Sequence, residues 1–198
     1  MVERFDGSNW GKEQVPAGLI MDAAVSTSVT VAVSMFPIVT STDGGNTWVE
    51  QESIGGLSQS ASVFGSGQDI GLVGGFTTPA REPVTYGVAH SADAGSTWTI
   101  SEIPGPGYVR YGAFPSEVGV NVTDVSGWWG TISKTTDAGQ TWQTVFQSDP
   151  SDTYYFNSIA CSSDTHCVAV AEGANYVTDC KAFVTFDGGE TWTNTLEG

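Results

Sequence analysis

The sequence has few positive charges. Six Lys and Arg residues stand against 22 Asp and Glu among 198 residues, which gives a formal net charge of −16 at pH 7. A chain with this charge repels phosphate backbones and anionic membrane surfaces. Nucleic acid is therefore not an expected partner, and the acidic surface suits an extracellular or saline setting.

Long hydrophobic runs are also missing. The most apolar stretch, residues 29–39, is interrupted by Thr, Ser and Pro, whereas crossing a bilayer takes roughly 20 apolar residues. The N-terminal residues MVERFDGSNW contain no apolar core of a signal peptide. We expect no direct membrane insertion, and either a removed signal peptide or a start inside a longer protein.

No segment shows a sustained helical period, and the 25 glycines are spread along the chain. Short alternating or apolar runs, separated by turn residues, are typical of β-strands. The sequence therefore predicts an all-β protein, and its length is that of a single domain.

An eight-residue pattern occurs four times, as STDGGNTW, SADAGSTW, TTDAGQTW and TFDGGETW. Its aspartates are 50, 44 and 50 residues apart. This period fits a repeat of four short strands. The repeat aspartates are Asp43, Asp93, Asp137 and Asp187.

The pattern has the chemistry of a tight turn. Its Asp can accept hydrogen bonds from backbone N–H groups ahead of it, and its Gly supplies the positive φ that closes a hairpin. Its Trp would begin the next strand and fill the gap between units. We interpret these residues as structural: Gly45, Gly95, Gly139, Gly189, Trp48, Trp98, Trp142 and Trp192.

The four copies resemble the Asp-box, or bacterial neuraminidase repeat, of sialidases, xyloglucan-active glycosidases, sortilin-type receptors and photosystem II assembly factors. The resemblance implies a β-propeller. It does not imply one activity, because that family contains enzymes, receptors and assembly factors.

The repeats divide the chain into four-stranded antiparallel blades, whose strands we call A to D. Residues 5–10, FDGSNW, read as a damaged box that leaves a box and a D strand of a preceding blade. We expect part of a larger ring, with a compact four-bladed ring as the alternative. The expected divisions are 1–15 for the remnant, then blades 16–52, 53–103, 104–146 and 147–198.

Strand direction separates the boxes from the long connections. The boxes are C–D turns, so the A–B turns share their end of each blade, and the B–C and D–A connections share the other. The long B–C connections are 75–85, 124–129 and 173–181, and the D–A connections are 53–59, 104–108 and 147–154. We call this opposite end the loop end.

Aromatic residues at the loop end suit stacking on sugar rings or anchoring of a protein partner. Of the adjacent pair Trp128 and Trp129, one would point into the core if the segment is strand-like. The candidate ligand-binding residues are Trp128, Trp129, Tyr108, Tyr154, Tyr176 and Arg81.

Two of the three cysteines flank one predicted A–B turn. Cys161 and Cys167 would lie about 4.5–5.5 Å apart between Cα atoms of paired strands, which permits a disulfide. Cys180 is out of their reach, so it is a free thiol or has a partner elsewhere. Asn121 starts a glycosylation sequon within or near a strand. A disulfide favours a secreted or otherwise extracytoplasmic location.

No catalytic arrangement stands out. A sialidase site needs an arginine cluster, and the only arginines are Arg4, Arg81 and Arg110. Glucan hydrolysis needs only two carboxylates, for which Asp22 and Asp152 are the best-placed acids, with no role assigned. The sequence has no zinc spacing, phosphate loop or calcium loop, so we expect neither metal nor cofactor.

The leading hypothesis is an extracytoplasmic binding or scaffold propeller that engages a neutral glycan or a protein partner through the loop end. One alternative is a fragment of a glycoside hydrolase, sialidase-like or glucan-active, whose site needs further blades. Another is a photosystem-assembly-type factor, which is disfavoured because such factors are expected to carry a basic patch.

Overall fold

The computed structural model describes residues 2–5, 7–14, 20–25, 30–34, 38–51, 54, 56–66, 68–76, 85–103, 108–113, 121–126, 130–149, 154–173 and 180–196. All regular secondary structure in these ranges is β-strand, so the all-β prediction is confirmed. The strands form one two-stranded sheet and four four-stranded sheets, all antiparallel. These ranges contain no helix with the length and apolar character that a bilayer crossing requires.

The chain begins with a hairpin of β1 (Val2–Phe5) and β2 (Trp10–Glu13), in which Phe5 pairs with Trp10. The sequence predicted only a box and a D strand here. The strand before the turn is therefore an addition to that prediction, and the hairpin holds the equivalents of both a C and a D strand.

The first two blades follow the predicted order, with neighbouring strands in chain order. The first consists of β3 (Ile20–Val25), β4 (Thr30–Ser34), β5 (Ile38–Ser41) and β6 (Val49–Gln51). The second consists of β7 (Leu57–Ser66), β8 (Asp69–Phe76), β9 (Thr85–Ser91) and β10 (Thr99–Glu102).

The last two blades repeat this order. The third consists of β11 (Tyr108–Ala113), β12 (Asn121–Ser126), β13 (Gly130–Thr135) and β14 (Gln143–Gln147). The fourth consists of β15 (Tyr154–Cys161), β16 (Cys167–Gly173), β17 (Cys180–Thr185) and β18 (Thr193–Asn194).

Several boundaries differ from the sequence prediction, among them the D–A connection predicted over 53–59, which is shorter because β7 begins at Leu57. Each D strand begins after the box Trp and not at it, because the Trp still belongs to the turn. The B–C connection of the third blade, predicted over 124–129, is shorter because β12 runs to Ser126, which pairs directly with Gly130.

The blades pack face to face in chain order, and each gap between neighbours holds one apolar cluster. Alternation along the strands supplies both faces: in β8, Leu72 belongs to the cluster shared with the first blade, and Val73 to the cluster shared with the third. Phe156 and Phe183 fill the gap between the third and fourth blades, where their ring centroids are 5.6 Å apart. The core is therefore a series of layers between blades.

The A–B turns and the boxes lie at the same end of the blades, as strand direction predicts. Ala94 N donates to Gln68 O at 2.9 Å in the second blade, and Gly188 N donates to Thr165 O at 3.0 Å in the fourth. Each bond joins a box to the A–B turn beside it. The B–C and D–A connections consequently leave from the opposite end.

Cys161 and Cys167 form a disulfide across the A–B turn of the fourth blade, where the two residues are Cα partners 4.0 Å apart. Cys180 is an exposed free thiol at the start of β17, which is at the loop end of the blade. The disulfide therefore closes only a short hairpin loop.

We predict that the double variant Cys161→Ser, Cys167→Ser unfolds more easily than the wild type, by about 2 kcal/mol, because a cross-link at a separation of 6 residues removes loop entropy from the unfolded chain. Urea denaturation under non-reducing conditions measures this. Cys180→Ser is the matched control and should leave stability unchanged. An equal loss in both variants would contradict the prediction.

Candidate functional site

Each box is closed by its first residue, a Ser or Thr at the end of the C strand. In the first box, Ser41 Oγ donates to Asp43 Oδ1 at 2.8 Å and accepts the N–H of Gly45 at 2.8 Å. In the fourth, Thr185 Oγ1 makes the same two bonds to Asp187 and Gly189, both at 2.8 Å. The hydroxyl thus joins the aspartate to the backbone on the far side of the turn.

The aspartate closes the other half of the turn. Asp137 Oδ1 accepts the N–H of Thr141 at 2.8 Å, and its Oδ2 accepts the hydroxyl of Thr141 at 2.6 Å. The other three boxes contain the same pair of bonds. Both carboxylate oxygens of every box are therefore occupied within the turn.

Two consecutive residues of each box have a positive φ. The second is always Gly, as at Gly139 with φ +82°, and the first is Ala94 or Ala138 in the middle boxes, with φ 59° and 55°. Glycine adopts this conformation without strain, whereas alanine costs roughly 1–2 kcal/mol there. The positive φ of the Gly is predicted by the repeat pattern, whereas that of the residue before it is not.

The pKa of each box aspartate is lowered from 3.8 to about 2, chiefly because the Thr hydroxyl donates to the carboxylate. Such a carboxylate stays ionised at neutral pH, and its acceptor capacity serves the turn. It is poorly suited to general acid catalysis, which needs a raised pKa. The geometry thus favours the structural role.

The box Trp of the second, third and fourth blades packs against the preceding blade. Trp142 packs in the cluster that contains Val73 and Val88 of the second blade. Its Nε1–H donates to Ser101 Oγ of that blade at 2.9 Å and to Gly139 O at 3.2 Å. Trp192 departs from this pattern, because its buried Nε1–H has no acceptor among the residues that the structure describes.

The candidate binding residues are only partly placed. Tyr108 and Tyr154 are the first residues of β11 and β15, and their backbones pair with Ser126 and Gly173. Both therefore lie at the loop end of an A strand. The other four candidates, Arg81, Trp128, Trp129 and Tyr176, lie outside the described residues.

The remaining candidate groups are only partly described. Asp22 lies in β3, next to the first blade's B strand, and Asp152 lies outside the described residues. His90 is buried, with Nε2 2.9 Å from Asp69 Oδ1 of its own blade. It packs between blades, because a Cβ built on Gly139 of the third blade would lie 3.5 Å from His90 Cβ. No group of three potential metal-ligating side chains occurs in the described part of the chain.

One exposed aromatic pair was missed from the sequence. Phe186, the second residue of the fourth box, is 74% exposed and stacks on the His166 ring with centroids 4.7 Å apart. Its counterparts Thr42, Ala92 and Thr136 are small or polar. The substitution of an aromatic residue at this box position was the available signal.

The family model of the BNR/Asp-box repeat matches residues 183–194, which span the fourth box. The other boxes have the same hydrogen bonds, so the chain carries four Asp-boxes. No curated protein sequence is significantly similar to this chain.

Several solved structures share the fold. YCF48 from Cyanidioschyzon merolae superposes with a TM-score of 0.61 at 16% identity, over 90% of this chain and 56% of that one. YCF48 bound to D1 peptide gives 0.54 at 16% identity, over 96% and 85%. Trypanosoma rangeli sialidase in complex with sialic acid gives 0.54 at 16% identity, over 98% and 40%.

These likenesses show the fold, which is that of a β-propeller built from Asp-box blades. This chain spans 56% of the first of these proteins and 40% of the sialidase. At 16% identity, the ligands in those structures say nothing direct about this chain.

We predict that Asp137→Ala lowers the free energy of unfolding by about 1–3 kcal/mol, because the Thr141 N–H and hydroxyl lose their acceptor. Denaturation in urea measures the loss. Glu50→Ala, which also removes one exposed negative charge, is the matched control and should change stability little. A loss of ligand affinity in folded Asp137→Ala would contradict the structural role.

The boxes also predict a loss of stability in acid. The folded pKa of about 2 lies below the ordinary 3.8, so the folded state binds fewer protons than the unfolded chain between these values. The contribution is complete above pH 3.8 and is lost as the pH falls toward about 2. Melting temperature against pH should show this decline, and Asp137→Asn should make it shallower.

Proposed function

We propose that this Asp-box β-propeller protein is a binding or scaffold protein that engages a neutral glycan or a protein partner through its loop end. The proposal rests on the end of the blades that carries the boxes and the A–B turns, which we call the box end. There the carboxylates and hydroxyls of the boxes bond to each other and to the turn. The Asp, Ser and Thr side chains of the boxes are thus committed to the fold, which favours the loop end for recognition.

The backbone supports an aromatic surface at the loop end. Tyr108 and Tyr154 occupy the same position, the start of the A strand, in two successive blades. Trp128 and Trp129 lie in the chain between Ser126 and Gly130, and Ser126 is also the partner of Tyr108. Aromatic residues at the same end of neighbouring blades are a residue type suited to stacking on a sugar ring or contact with a peptide.

The charge of the chain favours a neutral ligand. With a net charge of −16, the protein repels anionic sugars and phosphates at long range. A neutral glycan escapes this repulsion, and so does a peptide that is neutral or basic. A structural neighbour that binds a peptide is compatible with the protein-partner form of the proposal.

We further propose an extracytoplasmic location. The Cys161–Cys167 disulfide is the support, because such bonds persist in oxidising compartments and are rare in the cytosol. The highly acidic composition agrees with that setting.

We also propose that the four blades are one arc of a larger ring, as the domain division implies. Strand packing joins the first blade to the second, the second to the third and the third to the fourth. Among the described strands, no comparable packing joins the fourth blade to the first. An arc of this kind leaves two blade faces for further blades.

The binding proposal predicts that Trp128→Ala, Trp129→Ala and Tyr154→Ala each weaken binding about tenfold or more, because stacking on an aromatic side chain contributes roughly 1–3 kcal/mol. A neutral glycan array and a peptide array, probed with the full chain, identify the ligand. Titration calorimetry then gives the affinity of each variant.

The matched control is Phe186→Ala, which removes an exposed aromatic ring from the box end. It should leave the affinity unchanged. Three results would count against the proposal: unaltered binding by all three loop-end variants, an equal loss in Phe186→Ala, or hydrolysis of a glycan by the chain.

A further inference from the structure

One contact recurs at every gap between blades. The residue just before a box lies against the box Gly of the next blade. A Cβ built on Gly95 would lie 3.8 Å from Thr40 Cγ2, one on Gly139 3.5 Å from His90 Cβ, and one on Gly189 3.9 Å from Lys134 Cδ. We call this position the seat, because the next box rests on it.

The seat of the fourth blade is Val184, the residue before Thr185. Its strand packs against no further blade among the described residues. Unlike His90 and Lys134, which are buried by the box that follows, Val184 is half-buried. The fourth blade therefore presents a seat with no box on it.

The face around this seat is mostly apolar, with Glu172 at its loop end as the partner of Cys180. Val168 pairs with Val184, and Val170 pairs with Ala182, so these side chains lie on one side of the sheet. Ala160 continues the row as the partner of Val168. We call this surface the outer face of the fourth blade: Ser158, Ala160, Val168, Val170, Ala182 and Val184.

Comparison with the second blade shows what this face lacks. Val73 and Val88 hold the places of Val170 and Ala182 there, and both are 0% exposed because the third blade covers them. Val170 is 41% exposed. The same pair of apolar positions is thus fully covered in the second blade and partly open in the fourth.

The first blade offers the complementary side. Its box is complete: Gly45 has φ +86°, and Trp48 Nε1 donates to Gly45 O at 3.1 Å, as Trp98 does to Gly95. No strand of the N-terminal hairpin packs extensively against it within the described residues. The first blade therefore carries the features with which the later blades rest on a seat.

We propose that the outer face of the fourth blade binds the first blade of a second copy of this chain, with the second copy's Asp-box resting on Val184. The inference rests on the proposed larger ring and names what completes it. Because the contact joins two different surfaces, two copies close a ring when each supplies both. Two arcs of four blades make eight, within the range of about four to eight blades that propellers typically have.

The test is sedimentation velocity of the full chain over a wide range of concentration. The expected result is a reversible shift from one copy to two. Added salt should strengthen the association, because two chains of net charge −16 repel each other and salt screens that repulsion. A chain that remains single throughout would overturn the proposal.

Variants locate the interface. Val170→Asp and Ala160→Arg should each raise the dissociation constant about tenfold or more, since each forces a charge into an apolar contact. Ile100→Asp is the matched control, because Ile100 is 40% exposed against 41% for Val170 and lies in a D strand of the second blade. Circular dichroism establishes that each variant is folded. Association that is unaffected by both outer-face changes would refute the assignment.

Cys180 provides an independent readout in the wild type. By strand alternation it lies on the same side of β17 as Ala182 and Val184, and its thiol is exposed. Its alkylation by a maleimide should slow as the two-copy form accumulates. Equal rates in both forms would place the contact elsewhere.

These outcomes separate the inference from the proposals on which it rests. A single copy with fully reactive Cys180 would refute the second copy alone and leave an open arc. Electron microscopy of such a sample that showed a closed four-bladed ring would refute the larger ring as well. Ligand binding at the loop end is measured separately and fails or succeeds independently.

Discussion

The hydrogen bonds between the box aspartate and its neighbouring hydroxyls are the constraint on which the rest of the structure depends. They fix a turn with two consecutive residues at positive φ, as at Ala138 and Gly139. That turn brings the box Trp back over its own Gly and points the ring at the preceding blade. A local polar arrangement thereby sets the contact between sheets, where most of the apolar burial occurs.

Much of this fold could be predicted from the sequence because the repeat supplies four examples of the same turn. The strand order, the all-β class and the common end of the boxes follow from turn chemistry and strand alternation. The extra strand Val2–Phe5 could not be predicted, because so short a segment at a damaged box carries no periodic signal. The exposed outer face around Val170 could not be predicted either, since alternation gives the two sides of a strand but not which of them a neighbour covers.

The candidate binding residues show a second limit on what the sequence can predict. Strand direction predicts that Tyr108 and Tyr154 lie at the loop end, and the strand register puts their backbones there. Whether an aromatic side chain faces a ligand or the core depends on rotamer and on the neighbouring connections, and neither follows from strand direction. The repeat therefore defines the end of the blade at which recognition is proposed, whereas the ligand depends on residues that the repeat does not specify.

The seats show how a repeated fold accommodates different sequences. In the first three blades the position is Thr40, His90 or Lys134, so its chemistry varies while its place beneath the next box Gly is retained. In the fourth blade the corresponding residue is Val184. Lys134 is nearly buried, and its Nζ bonds Glu190 Oε1 of the following box at 2.5 Å, an acid that the other boxes lack. A buried cation needs such a partner, whereas a valine needs only apolar contact. The fourth seat can therefore accept a box without an acid, and the first box has Asn46 where the fourth has Glu190.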